Sequence, residues 1–389
     1  MKTVQAPPTP PQGKAASKQA PNPLQGNPNP LQEPPSLGFC VRLLGSLITT
    51  PRTSRSEQAA ADLLEVEMRR QGMNPQRTGN NLWEIAPGYD AKRPTLLLNA
   101  HIDTVKPVSA WTRDPFKAET VDADTPADTK LYGLGSNDDG ASLVTLLATY
   151  LALRNSQQAY NLIFVASAEE EVSGQNGISS VLPLLPEVSV ALVGEPTCME
   201  PAIAEKGLMV LDCTAQGKAG HAARNEGDNA IMHAIDDIIW IKNYRFEKES
   251  PLLGPVKMTT TIINAGTQHN VIPDQCVFTI DVRSNELYSN RDIYDLLCAN
   301  LKSEVKARSF RLNSSRLDIN HPMVQRAVAL GKTPFGSPTL SDQALMSFPS
   351  MKMGPGDSRR SHTADEYIKI GEIADALDTY RQLLDGLVI

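Results

Sequence analysis

The stretch TLLLNAHIDTV, residues 95–105, decides the fold, because an apolar run of strand length ends directly in a histidine and an aspartate. Two further short apolar runs follow, NLIFVAS at 161–167 and VSVALVG at 188–194, and a helical pattern at 141–153 separates the first run from the second. Such runs suit strands buried on both faces, and their alternation with helices predicts an α/β sheet covered by helices. For any single run a buried helix is the alternative; three together favour the sheet.

The segment 207–313 has a different rhythm and predicts an inserted second domain. Its apolar patterns follow the order strand, helix, strand, strand, helix, strand, which is the order of a ferredoxin-like unit. The predicted elements are strands at 208–215, 257–265, 276–283 and 308–313, and helices at 229–244 and 291–305. We expect residues 37–206 and 314–389 to form one mixed-sheet domain around this insertion.

Composition narrows the class of protein. Of the 389 residues, 41% are hydrophobic and 21% charged, and the formal net charge is −7. The sequence has neither the basic stripe of a nucleic-acid binder nor an apolar stretch of about 18 residues, so we expect no nucleic-acid partner and no membrane span. Its five cysteines are odd in number and widely spread, which is typical of thiols in a reducing compartment and favours the cytoplasm.

Residues 1–36 differ from the rest of the chain. Ten of the 29 prolines lie there, and the first aromatic residue is Phe39. The segment lacks the apolar core of a secretory signal. Because its composition buries too little apolar surface to offset the entropy of ordering, we predict a disordered tail whose role stays open.

Polar side chains follow the predicted strands where each strand ends. His101 and Asp103 follow the first run, Glu169–Glu171 follow the second and Glu195 follows the third. A histidine at such a place can hold a metal ion while a nearby carboxylate orients it. Adjacent carboxylates at the end of a buried strand repel one another unless cations or protons offset their charge. Each motif alone also allows a plainer interpretation, a hydrogen-bonded histidine or a solvated acidic face.

Two loops supply further candidates. LYGLGSNDDGAS carries Asp138 and Asp139 among three glycines before a helix, although an ordinary Asp-Gly loop is the alternative. GPGDSRRSHTADEY adds His362. Imidazole and carboxylate ligands without cysteine suit zinc or a similar divalent ion, and two ions sharing one aspartate can activate water against an amide. The predicted ligands are His101, Asp138, Glu171, Glu195 and His362.

These motifs, in this order over about residues 40–389, resemble the family of dinuclear zinc aminoacylases and carboxypeptidases. The resemblance implies that His101, Asp138 and Glu195 hold one metal ion. Asp138, Glu171 and His362 would hold the other, with cobalt able to replace zinc. It also implies that Glu170 is the catalytic base, while Asp103 orients His101. Three glutamates stand in a row, so a shift by one position stays open, and the acidic Asp139 departs from the family pattern.

Within the insertion, GKAGHAA at 217–223 resembles the family's lid-domain histidine motif. This implies that His221 acts from the partner subunit of a homodimer and helps to hold the oxyanion. Asn270 in GTQHNVIP and Arg283 in DVR match positions that bind substrate in the family, and a guanidinium suits a carboxylate. A loop histidine without a role and a surface ion pair of Arg283 are the alternatives.

The motifs LYGLGSND, GEPT and GPGDSRRSHTADEY resemble the acetylornithine deacetylase branch. This implies hydrolysis of a small N-acyl amino acid of arginine biosynthesis, either N-acetyl- or N-succinyl-ornithine or the citrulline analogues. Arg359 and Arg360 would bind the second carboxylate of a succinyl group, unless they face solvent or pair with Asp357 and Asp365. A dipeptidase or carboxypeptidase of the same family is the alternative. A non-catalytic binding descendant is disfavoured because all five ligands and Glu170 are present.

Overall fold

A computed structural model of the protein describes Met1, residues 35–224 and residues 226–389. The predicted tail therefore lies outside the described residues, apart from Met1, Pro35 and Ser36. No helix in the described part of the chain is both long and apolar enough to cross a bilayer. The residues that the structure describes form eight α-helices: α1 (Leu37–Ile48), α2 (Gln58–Arg70), α3 (Gly140–Leu153), α4 (Ile178–Val181), α5 (Ala230–Asn243), α6 (Asn290–Asn300), α7 (Pro322–Ala329) and α8 (Ile370–Leu384).

The described residues also form eighteen short strands, which pair into four sheets. They are β1 (Gln76–Thr78), β2 (Asn81–Ile85), β3 (Thr95–His101), β4 (Glu119–Val121), β5 (Lys130–Tyr132), β6 (Asn161–Ser167), β7 (Val190–Val193), β8 (Ala202–Glu205), β9 (Met209–Gln216), β10 (Gly220–His221), β11 (Lys257–Ala265), β12 (Val271–Ile272), β13 (Gln275–Arg283), β14 (Glu304–Ala307), β15 (Ser315–Arg316), β16 (Phe335–Ser337), β17 (Ser350–Lys352) and β18 (Tyr367–Lys369).

The largest sheet has nine strands, in the order β1-β2-β6-β3-β7-β17-β8-β15, with β16 paired to β8. At its centre β3 runs parallel to β6 and β7, and β17 runs parallel to β7, whereas β2 is antiparallel to β6. Every residue of β3 and β6 is buried. Strands covered on both faces are apolar throughout, which explains the uninterrupted runs in the sequence. The predicted mixed α/β fold is confirmed.

A smaller antiparallel sheet is built from the segment between β8 and β15. Its strands lie in the order β11-β13-β9-β14, and α5 and α6 connect them. Alternate residues of β9 are buried, as a sheet with one covered face requires. Met209, Phe278 and Leu297 belong to a hydrophobic core separate from that of the large sheet. Where the segment leaves and rejoins the large sheet, Ser315 pairs with Glu205.

Two sequence predictions about the end of this segment are wrong. Helix α6 ends at Asn300, so a helix over 291–305 is wrong, and the last strand is β14 instead of 308–313. The cause is the buried carboxylate of Asp237 on α5. It accepts hydrogen bonds from the backbone N–H of Lys302 (3.1 Å) and from the N–H (2.9 Å) and hydroxyl (2.6 Å) of Ser303. This contact holds the chain extended directly after the helix.

Candidate metal centre

Side chains from five chain segments converge at the carboxyl ends of the parallel strands of the large sheet. In an open α/β sheet this edge is where ligands bind. One candidate ends β3, two follow β6, one follows β7, one precedes α3 and one follows β17. These residues are, in that order, His101, Glu170 and Glu171, Glu195, Asp138 and His362.

Asp138 lies between two imidazoles. Its Oδ1 is 3.2 Å from Nε2 of His101, and its Oδ2 is 3.7 Å from Nε2 of His362. Nε2 of His362 is also 2.9 Å from Oε2 of Glu171. An aspartate with one histidine facing each oxygen is the arrangement expected of a residue that bridges two ions.

Two groups of side chains have ligand atoms that all lie within 4.8 Å of one another. One contains His101, Glu170 and Glu195, and the other contains His101, Asp138 and Glu171. The side chain of His362 is 54% exposed, whereas that of His101 is 2% exposed. The centre is therefore closed on the side of the sheet and open at His362.

The charge of this cluster points to cations. Burial raises the pKa of Glu170 well above its usual value; His101 opposes this, whereas Glu195 and Asp342 add to it. Burial likewise raises the pKa of Glu195, against the charge of Lys352. Carboxylates this close need protons or cations to offset their charge. Two imidazoles with several carboxylates and no cysteine fit divalent ions of the zinc type.

Asp103 contacts His101 and the turn of Glu170 and Glu171 on the buried side of the centre. Nδ1 of His101 is 2.9 Å from the backbone oxygen of Asp103 and 3.6 Å from its Oδ1, which turns Nε2 toward Asp138. The Asp103 carboxylate also accepts hydrogen bonds from the backbone N–H of Glu170 (3.0 Å) and of Glu171 (3.2 Å). Asp103 thus orients the histidine through its carbonyl oxygen and fixes the turn that carries two of the glutamates through its carboxylate.

The directions of the three consecutive glutamates differ. Oε2 of Glu170 is 4.0 Å from Nε2 of His101, and Glu171 faces His362. Glu169 turns away, because its carboxylate accepts a hydrogen bond from the side chain of Asn176 at 3.1 Å. These directions place Glu170 and Glu171 at the centre and turn Glu169 away from it.

The three predicted lid residues lie in the segment between β8 and β15: His221 on β10 of a two-stranded sheet with β12, Asn270 just before β12, and Arg283 at the end of β13. His221 is exposed on β10, and the backbone N–H of Ala222 donates to the carbonyl oxygen of Asn270 at 3.0 Å. Arg283 donates from Nε and Nη2 to the carboxylate of Asp281, at 2.8 and 3.2 Å. The backbone hydrogen bond therefore joins the segments that carry His221 and Asn270. Arg283 makes an ion pair, which was the alternative to substrate binding in the sequence analysis.

Both predicted succinyl-binding arginines are paired. Arg359 is 88% exposed and donates to Asp357, with 2.6 Å between Nη2 and Oδ2. Arg360 makes two hydrogen bonds to Glu372, at 2.7 and 2.9 Å, and lies over the ring of Tyr367. Arg359 thus keeps an accessible guanidinium, whereas that of Arg360 is held from two sides.

Two buried carboxylates near the centre were missed in the sequence. Glu366 accepts hydrogen bonds from the backbone N–H of Gly135 (2.9 Å), Asn137 (2.8 Å) and Asp138 (2.9 Å), so it shapes the loop of the bridging aspartate. Asp342 accepts a hydrogen bond from the Ser167 hydroxyl at 2.6 Å, and burial raises its pKa to about 7. Neither follows an apolar run, which is the signal that marked His101, Glu170 and Glu195. Glu366 lies in the same loop as His362, GPGDSRRSHTADEY, but that motif did not distinguish it.

Known proteins are similar to this chain in sequence and in architecture. The chain is 27% identical to acetylornithine deacetylase of Proteus mirabilis, over 90% of this chain and 97% of that protein. It is 27% identical to succinyl-diaminopimelate desuccinylase of Cereibacter sphaeroides, over 65% of this chain and 70% of that protein. The crystal structure of Bacillus subtilis YXEP, described as a dinuclear metal binding peptidase from the M20 family, superposes with a TM-score of 0.66 at 18% identity. That match covers 90% of this chain and all of the other.

The sequence profile of one protein family matches most of this chain. It covers far more than half of the chain and includes all five predicted metal ligands. The profile is that of Peptidase family M20/M25/M40, it matches residues 97–386, and the chain belongs to this family.

Proposed function

We propose that the protein is a metal-dependent amide hydrolase that uses two divalent ions, zinc or cobalt, to cleave an N-acyl amino acid. The observation that carries the proposal is Asp138, whose two oxygens face His101 and His362 at 3.2 and 3.7 Å. The relatives named as a deacetylase and a desuccinylase support an acyl substrate. The peptidase of similar fold keeps a peptide substrate as the second candidate.

The chain would hold the two ions with the residues already placed. His101, Asp138 and Glu195 would bind one, and Asp138, Glu171 and His362 the other. Bound there, divalent ions lower the pKa of water and polarise an amide carbonyl.

The proton then moves through Glu170, whose carboxylate faces the same space. Glu170 accepts a proton from the attacking water as the oxygen–carbon bond forms. It returns that proton to the amine nitrogen as the amide bond breaks, so one carboxyl serves as base and then as acid. His221 would stabilise the charge that develops on the amide oxygen. The products are a carboxylate and a free amine.

We further propose that residues 207–313 form a ferredoxin-like lid through which the chain makes a homodimer. Helix α5 exposes Met232, Ile235 and Ile239, which recur at helical spacing. Ile262 and Ile263 are exposed on β11, the edge strand of the smaller sheet. An apolar face beside an unpaired strand edge is a surface that a second copy can cover.

Mixing two inactive variants tests whether His221 acts across this dimer. We expect Glu170→Gln and His221→Ala to be inactive alone. After subunit exchange, each mixed dimer contains one site with both Glu170 and His221. Half of the dimers are then mixed, so activity should recover to about a quarter of the wild-type value. The measurement is turnover after exchange, with exchange followed separately by fluorescence transfer between labelled subunits.

A pair of surface variants controls this experiment. Ile239→Asp places a charge in the proposed interface and should prevent both dimer formation and recovery of activity. Val66→Asp makes the same kind of change at an exposed residue of α2 and should do neither. If subunits exchange but no activity returns, His221 acts within its own subunit or outside the site.

The substrate we propose is an N-acetyl or N-succinyl derivative of ornithine or citrulline, which places the enzyme in arginine biosynthesis. Asn270 and Arg283 would bind its α-carboxylate, with Arg283 exchanging Asp281 for the substrate. Arg359 and Arg360 remain the candidates for a succinyl carboxylate, and the exposed guanidinium favours Arg359. We propose that the enzyme lies in the cytoplasm, where its five cysteines would stay reduced.

Replacing Arg359 with alanine should lower kcat/KM for N-succinyl substrates by roughly 10–100-fold, the range of a lost charge-assisted hydrogen bond. The values for N-acetyl substrates should stay the same, because they lack the second carboxylate. The four substrates to compare are N-acetyl- and N-succinyl-ornithine and the two citrulline analogues.

Two controls accompany this comparison. Arg69→Ala removes an exposed arginine of α2 that also pairs with a carboxylate, and it should change none of the four values. Arg360→Ala removes the contacts with Glu372 and Tyr367, so a lower melting temperature should accompany its effect. Faster cleavage of dipeptides than of all four substrates would favour the peptidase. Stoichiometric metal binding without any hydrolysis would favour a binding protein.

A further inference from the structure

The segment RTSRSE, residues 52–57, links α1 to α2 and lies along the end of β3. The N–H of Ser54 donates to the carbonyl oxygen of Thr104 at 3.1 Å, and the N–H of Thr104 donates to that of Arg52 at 3.0 Å. The segment therefore runs beside the residues that follow His101. From this position its side chains reach three separate segments of the candidate metal centre.

Arg52 joins two of these segments. It is a buried arginine, 2% exposed, and its guanidinium donates to the carbonyl oxygens of Ile102 (2.9 Å) and Gly135 (2.8 Å). Ile102 stands between His101 and Asp103, and Gly135 begins the loop of Asp138. Gly135 has φ +73°, and a Cβ there would lie 2.4 Å from the guanidinium, so only glycine fits. Arg52 thus fixes the strand end relative to the aspartate loop.

Ser54 and Glu57 contact Asp103 and the turn that carries the three glutamates. The Ser54 hydroxyl donates to Oδ2 of Asp103 at 2.7 Å, and Asp103 orients His101 and the turn of Glu170. Oε1 of Glu57 accepts a hydrogen bond from the backbone N–H of Glu169 at 3.1 Å, at the start of that same turn. Each side chain acts on a residue that carries or orients a ligand.

We propose that Arg52, Ser54 and Glu57 are positioning residues that set the affinity of the centre for its metal ions. The inference rests on the proposed two-metal site. Hydrogen bonds to the groups that orient ligands typically change metal affinity by about 10–100-fold when removed. Because the three residues act through Asp103, the β3 end and the glutamate turn, their loss should change metal binding more than substrate binding.

The test is Ser54→Ala compared with Ser56→Ala. Both variants remove a serine hydroxyl from the same segment. Ser56 is exposed, and within the described residues its hydroxyl has no hydrogen-bond partner. Cobalt is titrated into each metal-free protein and followed by visible absorption, and a competing chelator gives the zinc affinity. We expect affinity to fall roughly 10–100-fold in Ser54→Ala and to be unchanged in Ser56→Ala and Ser54→Thr. At saturating metal, KM should equal that of the wild type.

A second pair addresses Glu57. Glu57→Gln keeps an oxygen that can accept from Glu169 and should retain wild-type affinity, whereas Glu57→Ala should lose affinity as Ser54→Ala does. Wild-type cobalt affinity in both Ser54→Ala and Glu57→Ala would overturn the positioning role and leave the proposed function intact. If the wild-type protein itself bound no cobalt, the proposed metal site would fail instead. Melting temperatures of the metal-free proteins separate either result from unfolding.

Discussion

Replacing Glu170 with glutamine is expected to leave both metal ions bound and to lower kcat by about 10²–10⁴, the usual contribution of a positioned proton carrier. Glutamine has the shape of glutamate, but its amide accepts no proton from water at neutral pH. The carboxylate lies 4.0 Å from Nε2 of His101, and the proposed ligands Glu171 and Glu195 remain in place. The defect should therefore lie in the chemical step, with KM nearly unchanged.

The same change at the neighbouring glutamates is the control. Glu169→Gln should be close to wild type in turnover, because the Glu169 carboxylate contacts Asn176 instead of the centre. Glu171→Gln should lose metal as well as activity, because Glu171 faces His362. Elemental analysis and kcat are measured for all three variants. Full activity in Glu170→Gln with loss of turnover in Glu169→Gln would show that the assignment is shifted by one residue.

Removing divalent metal with a chelator is expected to abolish hydrolysis, and adding zinc or cobalt should restore it. Hydrolysis stops because the proposed reaction needs divalent ions to lower the pKa of water and polarise the amide. Metal binding should also be coupled to protons, because buried carboxylates lie close together at the centre. Burial raises the pKa values of Glu170 and Glu195 well above normal, which favours proton binding by these carboxyls when no cation offsets their charge. Rebinding of metal should therefore release protons. This release is detectable in weakly buffered solution without any substrate.

Metal content and activity are measured together on the same samples. Magnesium is the control ion, since it prefers oxygen ligands in octahedral geometry and suits a site with two imidazoles poorly. Only zinc, cobalt or a similar ion should restore turnover. Active protein that contains no transition metal on elemental analysis would contradict the proposal.

The central strands were predictable from the sequence because they are buried on both faces. Runs such as NLIFVAS contain no surface positions, so they stand out within a window of a few residues. The end of α6 was not predictable in this way. Asp237 accepts a hydrogen bond from Lys302, 65 residues further along the chain, and no local pattern around residue 301 records that contact.

The same distinction applies to the site. His101, Glu170 and Glu195 follow strands, and strand ends that share a sheet edge must lie near one another. Glu366 and Arg52 lie in loops and Asp342 begins a short 3-10 helix, so their closeness to the centre depends on how distant segments pack. The ion pair of Arg360 was not predictable either, because its partner Glu372 lies on the next α-helix, α8. Sequence patterns thus located residues that the structure brings together at this edge, but not the buried side chains Asp342, Glu366 and Arg52.

The pairing of Ser315 with Glu205 and of Arg316 with Ala204 brings the two ends of a segment of about a hundred residues side by side. Segments attached at adjacent points are tolerated as insertions, because the host backbone keeps its own hydrogen bonds. The attachment geometry therefore allows this segment to be lengthened, shortened or replaced while the nine-stranded sheet keeps its own hydrogen bonds.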